Sequence, residues 1–242
     1  MSIEAFSARR HDEGHFVPVV DRSKISPEVF FQHATDVLHS VHQSVAEEVI
    51  PTLDVRPGKW HPAGGFMVYH LGVNEDGESL RLHIWPEGQR ISSPVGPHIH
   101  NHAWQLSSLV LAGTYTDTIY SVENGAVMID EGHRAQTRKL RGFRLDYLPD
   151  GSDALVTDGT CYDAVPMEQR NIPAGNIHTI KDGLFHLPII PLNTTVATLV
   201  LDTPALGYPT TVLIDSDMRP IQTPRRATTS EESRRASQLL MQ

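Results

Sequence analysis

The sequence predicts a mainly β fold, a barrel or sandwich of short strands with one long helix near its start. Three observations carry this. From about residue 65 the chain breaks into short runs rich in β-branched and aromatic residues, separated by turns bearing Asn, Asp and Gly. Gly 17 and Pro 17 suit a turn-rich β protein better than a helical bundle. A sustained helical period is confined to a stretch within the first 50 residues.

That stretch comes first. Ser26 is a good N-cap and Pro27 suits the first helical position. Phe30, Ala34, Val37, Leu38, Val41, Val45 and Val49 recur at helical spacing, with His33, Asp36, His39, Gln43 and Glu47 off that stripe. Pro51 ends the pattern, so residues 27–49 read as an amphipathic helix covering a sheet or a barrel end. The strands follow as FMVYHLGV, LRLHIW, HIHNHAWQLSSLVLAGTYTDTIYSV, GFRLDYL, DALVTDG, ATLVLD and TTVLID, with NEDGES, VENG and LPDGSD as turns. Residues 1–60 are thus expected as an N-terminal helical extension and 61–219 as the barrel. The polar, Ser- and Arg-rich residues 220–242 are expected as a flexible tail that could hold a final helical turn.

Composition narrows the function. A formal net charge of -9 argues against a general nucleic-acid surface, which needs clustered Lys and Arg. Cys161 is the one cysteine, which excludes an internal disulfide and a thiolate-rich zinc site and reads as a small buried apolar residue. The opening MSIEAFSARRHDEGHF has no apolar core of signal-peptide length, and no apolar run approaches the ~20 residues of a membrane helix. A cytoplasmic protein is the expectation.

Histidines carry the chemistry. His98, His100 and His102 alternate in PHIHNHAWQLSSLVLAG, and His178 follows in IPAGNIH. Alternate residues of a strand project from one face. Imidazole is the commonest neutral metal ligand, so such a face, joined by a histidine from a distant turn, can converge on one cation.

These two segments resemble the two motifs of the cupin superfamily. Its first motif is a His-x-His pair, a carboxylate a few residues on, and a glycine that ends the strand. Counting back from Gly113 puts His100 and His102 in the paired positions and leaves His98 one step early. The second motif, Pro-x-Gly-x-x-His, is matched by Pro173, Gly175 and His178. The resemblance implies a jelly-roll barrel with a metal held by His100, His102 and His178. His98 is the alternative ligand, or else a pocket base. The family's carboxylate is missing, because its position is held by Leu106 between Gln105 and Ser107. Ferrous iron suits a cage of three neutral histidines with open positions, and imidazole also suits copper, nickel or zinc.

Over about residues 68–115 the chain resembles the three-histidine, cysteine-dioxygenase-like thiol dioxygenases, with extra residues at 91–97. The rest of that family's apparatus is not kept. Its carboxylate-binding arginine would fall near Tyr69 or His70, its crosslinked cysteine at Leu106, and its Ser-His-Tyr relay on Thr198, Val200 and Asp202. Cysteine dioxygenation is therefore not expected, while another oxidation in the same cage is.

Arg81, His83 and Trp85 share a face of the strand before the histidine pair. Facing inward, Arg81 could hold a substrate carboxylate and His83 could donate to substrate or oxygen; facing outward, they leave Leu80, Leu82 and Ile84 to fill the core. Trp104 and Gln105 are candidate pocket walls, and Tyr115, Tyr120 and Asp202 candidate proton donors. His11, His15, His33, His39, His42 and His133 show no convergent spacing and read as exposed. The function expected is oxidation of a small polar, carboxylate-bearing molecule by O2 at one metal. A non-redox isomerase or lyase and a small-ligand-binding module are the rivals. No DNA-reading helix pair is evident, and the resemblance adds a homodimer.

Overall fold

The computed structural model describes residues 6, 26–61, 64–88, 98–124, 138–148, 153–215 and 224–242. His11, His15, His133, residues 91–97 and the first residues of the expected tail lie outside these.

Helix α1 (Pro27–Ser44) starts where Ser26 accepts the Val29 N–H at 3.3 Å. The chain stays helical to Val55, but as a π turn over Val45–Val49 and a 3-10 turn over Ile50–Val55. Pro51 accounts for the change: it lacks the N–H that would continue the α ladder, and its ring crowds the preceding turn. Every residue of the apolar stripe named above is buried.

Among the described residues, thirteen strands follow. They are β1 (Gly58–His61), β2 (Phe66–Val73), β3 (Ser79–Trp85), β4 (Ile99–His100), β5 (Leu106–Ala112), β6 (Thr114–Asn124) and β7 (Arg138–Tyr147). Then come β8 (Asp153–Pro173), β9 (Ile177–Ile180), β10 (Phe185–Ile189), β11 (Val196–Asp202), β12 (Thr210–Asp215) and β13 (Arg226–Ala227), before helix α2 (Ser230–Leu240). One sheet has the order β13-β1-β2-β3-β11-β5-β9, and the other closes as β10-β4-β12-β7-β8-β6. Every pairing is antiparallel. The fold is mainly β, a jelly-roll barrel with a helical N-terminal extension. Gly113, at φ +74°, carries the chain from β5 into β6 of the other sheet, and a Cβ there would strike the Thr195 carbonyl oxygen.

Helix α1 lies on the outer face of the first sheet. Its stripe packs with Leu80, Leu82 and Ile84 of β3 and Ala197, Leu199 and Leu201 of β11. Both strands are therefore covered on this face, and β11 is buried along its whole length. His33, expected to be exposed, reaches from α1 to Glu78 at 3.0 Å and ties the helix to the β2–β3 turn.

The C-terminal segment expected as a flexible tail is otherwise employed. Residues 226–227 pair with β1, and α2 is held by a full capping box in which Thr229 and Glu232 exchange hydrogen bonds. Small side chains let α2 lie close: Ser233, Ala236 and Ser237 are buried, and the Tyr69 hydroxyl donates to Ser233 Oγ at 2.7 Å. Hydropathy alone misses such a helix, because its contact face is Ser and Ala. Arg226 grips Glu232 with two bonds of 2.8 and 2.5 Å and lies over the Trp60 ring, 5.6 Å from its centroid.

Leu82→Ala should cost about 2 to 5 kcal/mol in denaturant unfolding, because neither helix nor sheet can collapse onto the gap. The Arg226 hydrogen bonds lower the Glu232 pKa from 4.5 to about 2, against a smaller opposing effect of burial. A depressed carboxylate contributes stability above its unfolded value and loses it as pH falls through its folded one. The stability difference between wild type and Glu232→Gln should therefore be constant above about pH 5 and shrink towards pH 2. A difference independent of pH across that window would contradict the pairing.

Candidate metal centre

The strand expected through HIHNHAW lasts only two residues. His100, on β4, lies between Val212 of β12 and His186 of β10, directly opposite both. The chain then leaves the ladder and is pinned from other segments. The Asn101 side chain accepts the Thr211 N–H at 2.7 Å, the His102 carbonyl accepts the Gly183 N–H at 2.9 Å, and Gln105 N–H donates to Thr203 Oγ1 at 3.1 Å. These bonds fix where His102 points.

His100, His102 and His186 gather, with one ring nitrogen from each lying within 4.8 Å of the others. His102 Nε2 and His186 Nε2 are 3.2 Å apart. His178, the third histidine expected from the sequence, is buried near this group but turns its Nε2 to Asp117 at 2.6 Å. Asp117 also accepts from His186 Nδ1, at 3.0 and 3.1 Å. His98 adds its backbone: its carbonyl oxygen accepts from His100 Nδ1 at 2.9 Å, while its ring lies outside the gathered set.

The donor set fits a cation. Burial, reinforced by the neighbouring His186, lowers the His100 pKa to about 3, and burial with the adjacent His100 pushes His102 well below the ordinary imidazole range. Both rings are therefore neutral at pH 7 and available as ligands. A proton on Nδ1 of His100 and of His186, each facing an oxygen acceptor, leaves both Nε2 lone pairs free. Two nitrogens that share a cation at about 2.1 Å each lie about 3 to 3.4 Å apart, the separation found between His102 and His186. The burial of Asp117 opposes its ionisation, but hydrogen bonds from His178 and His186 prevail and hold its pKa below the carboxylate range.

Next to the histidines runs a polar band. Leu80, Leu82 and Ile84 face α1, so Arg81, His83 and Trp85 face inward. Arg81 forms an ion pair with Asp202 of β11, and both are largely buried. Burial raises the Asp202 pKa, with Arg81 and the Trp104 indole pulling the other way. Burial and the charge of Arg81 push the His83 pKa well below the imidazole range. Trp104 stacks obliquely on His102, ring centres 5.1 Å apart, and so joins this band to the histidine cluster. Phe66, Trp85 and His61 stack at 4.8 to 4.9 Å and form an aromatic wall beside His83. Among the described residues, Arg81 Nε, His83 Nε2, His102 Nδ1 and Gln105 Oε1 are buried with no protein hydrogen-bond partner. Such orphaned buried polar atoms are open contacts for a ligand.

Four other residues lie elsewhere. Tyr115 is buried among Val110, Ile172 and Val196, edge-on to His178 at 6.2 Å, and burial drives its phenol pKa up. Tyr120 packs beside Ile99 and Leu140. Cys161, expected to be buried, is exposed on β8, because the long strand presents this position outward. Leu106, at the position of the missing carboxylate, is buried with Ile119, Ile180 and Val200.

No family model matches the chain, and no curated protein does. Among solved structures it is similar to an RmlC-like cupin from Shewanella frigidimarina, 14% identical, covering 63% of this chain and 88% of that one, TM-score 0.32. An oxalate oxidase in complex with glycolate is 18% identical, covering 59% and 52%, TM-score 0.31. The DMSP lyase DddQ from Ruegeria pomeroyi is 14% identical, covering 60% and 50%, TM-score 0.31. The chain spans about half the length of these two enzymes. These are distant likenesses, and the fold stands on the strand order described above.

Removing one member of the buried ion pair should be costly. Asp202→Ala, which strands Arg81, should lose about 3 kcal/mol, and the double change Arg81→Met with Asp202→Leu should recover most of it. Urea unfolding of the wild type and the two variants checks this.

Proposed function

We propose that this chain is a cupin metalloenzyme that binds one divalent metal, ferrous iron, at His100, His102 and His186. In this reading it oxidises a small polar molecule with O2. The observation that carries the reading is the gathering of three imidazoles, two with Nδ1 facing an oxygen acceptor, beside unpartnered buried polar atoms. Three imidazole ligands without a carboxylate suit a cation that keeps positions open for other molecules. Bound ferrous iron would supply the one-electron chemistry that lets O2 react with a closed-shell substrate.

The chain's own part is to bind and to orient. His83 Nε2, Gln105 Oε1 and Arg81 Nε offer hydrogen bonds to substrate polar groups. Arg81 is already neutralised by Asp202, so the band as a whole carries little net charge. That favours an uncharged polar portion of the substrate there and leaves any carboxylate for the cation. The aromatic wall of His61, Phe66 and Trp85, with Trp104 against His102, would limit water access. Tyr115, in its apolar cluster, takes no part in this reading.

Protein purified without chelators should hold one metal per chain by elemental analysis. His186→Ala should lose it and His178→Ala should keep it. Retention in His186→Ala would refute the cage. Oxygen consumption with iron, absent with zinc, separates oxidation from Lewis-acid isomerase or lyase chemistry, in which both metals would support turnover.

A further inference from the structure

We propose that Asp117 is the positioning residue of the three-histidine site: it fixes the tautomer and ring orientation of His186 and is itself held by His178. This rests on the metal reading above and extends it beyond the ligands.

Asp117 lies on β6, opposite Pro188 of β10, while His186 of β10 lies opposite Ile119. Asp117 and His186 are therefore diagonal neighbours on the same face of an antiparallel pair, a relation that lets side chains meet. The carboxylate has no exposure to solvent. Burying an ionised carboxylate is expensive unless hydrogen bonds replace its water. Here Oδ2 accepts from His178 Nε2 at 2.6 Å and from His186 Nδ1 at 3.1 Å, and Oδ1 accepts from His186 Nδ1 at 3.0 Å.

An ionised carboxylate accepts and cannot donate, so each ring must present an N–H. For His186 this puts the proton on Nδ1 and the lone pair on Nε2, the atom 3.2 Å from His102 Nε2. The negative charge behind the ring also makes Nε2 a stronger donor, and carboxylates so placed are worth about 10 to 100-fold in metal affinity. His178 is thus assigned a task distinct from ligation. Its N–H braces Oδ2 and keeps the carboxylate aimed. The motif histidine reached by the Pro173-x-Gly175 turn would serve the cation at one remove.

The test measures Co(II) affinity by competition with a chromophoric chelator, together with the visible spectrum of the Co(II) protein. Asp117→Asn should bind Co(II) about 10 to 100-fold more weakly with an altered spectrum, Asp117→Glu should recover part of the loss, and His178→Gln should show a smaller loss than Asp117→Asn. Wild-type affinity in Asp117→Asn overturns this inference alone, whereas a wild-type protein that binds no Co(II) overturns the metal reading and this inference together. Nitrogen NMR of the metal-free wild-type protein gives a second measurement that needs no variant to fold. His186 should carry its proton on Nδ1, downfield and slow to exchange, and a ring protonated on Nε2 instead overturns the assignment.

Discussion

The site depends on how one short strand is seated. β10 lies between β4 and β6, and it meets β4 through the single pairing of His186 with His100. This contact closes the second sheet into a ring. It also brings the two imidazoles together, because residues directly opposite in antiparallel strands hold their side chains on one face within contact distance. The rings lie 4.5 Å apart. On its other flank β10 offers the same face to β6, which supplies Asp117. A slip of one residue would turn His186 outward and separate it from both partners. Strand register and donor geometry are here a single constraint.

The first sheet contributes by being covered on both faces. Outward-facing Leu80, Leu82 and Ile84 of β3 meet α1, which frees Arg81, His83 and Trp85 to line the interior. A strand open to solvent on one face would have spent its polar residues there. The helical extension is what makes an inward-facing arginine affordable, and the arginine in turn needs Asp202 from the fully buried neighbouring strand.

Much of this was legible in the residues, and the gaps have physical causes. The stripe of α1 and the strands β2, β3, β11 and β12 follow from periodicity, which the structure keeps; which face of β3 turns inward was left open by alternation and is decided by the packing of α1 on Leu80, Leu82 and Ile84. The pair His100 and His102 is found at the cluster, although the strand expected to carry it stops after His100 and tertiary hydrogen bonds aim the second ring. His186 had no such signal. Its strand, FHLPI, is short and contains Pro188, a residue that ordinarily argues against a strand, and no motif marks it. Alternating Phe185, His186 and Leu187 offered the only hint. The turn at Gly175 does send His178 inward, but spacing could not disclose that Asp117 waits there, since Asp117 comes from a strand of the other sheet. Helix α2 was hidden because Ser and Ala make its contact.

The bond from Tyr69 to Ser233 joins positions 164 residues apart, and both helices rest on the same sheet. So much non-local pairing imposes a large loop-closure entropy before any contact repays it, and antiparallel barrels of this kind fold slowly. Without α2, the side of the sheet around Tyr69 would lose the cover that Ser233 and Ala236 give it. Helix α2 is therefore a clasp between segments far apart in sequence, and opening it would expose the edge of the first sheet to pairing with a neighbour.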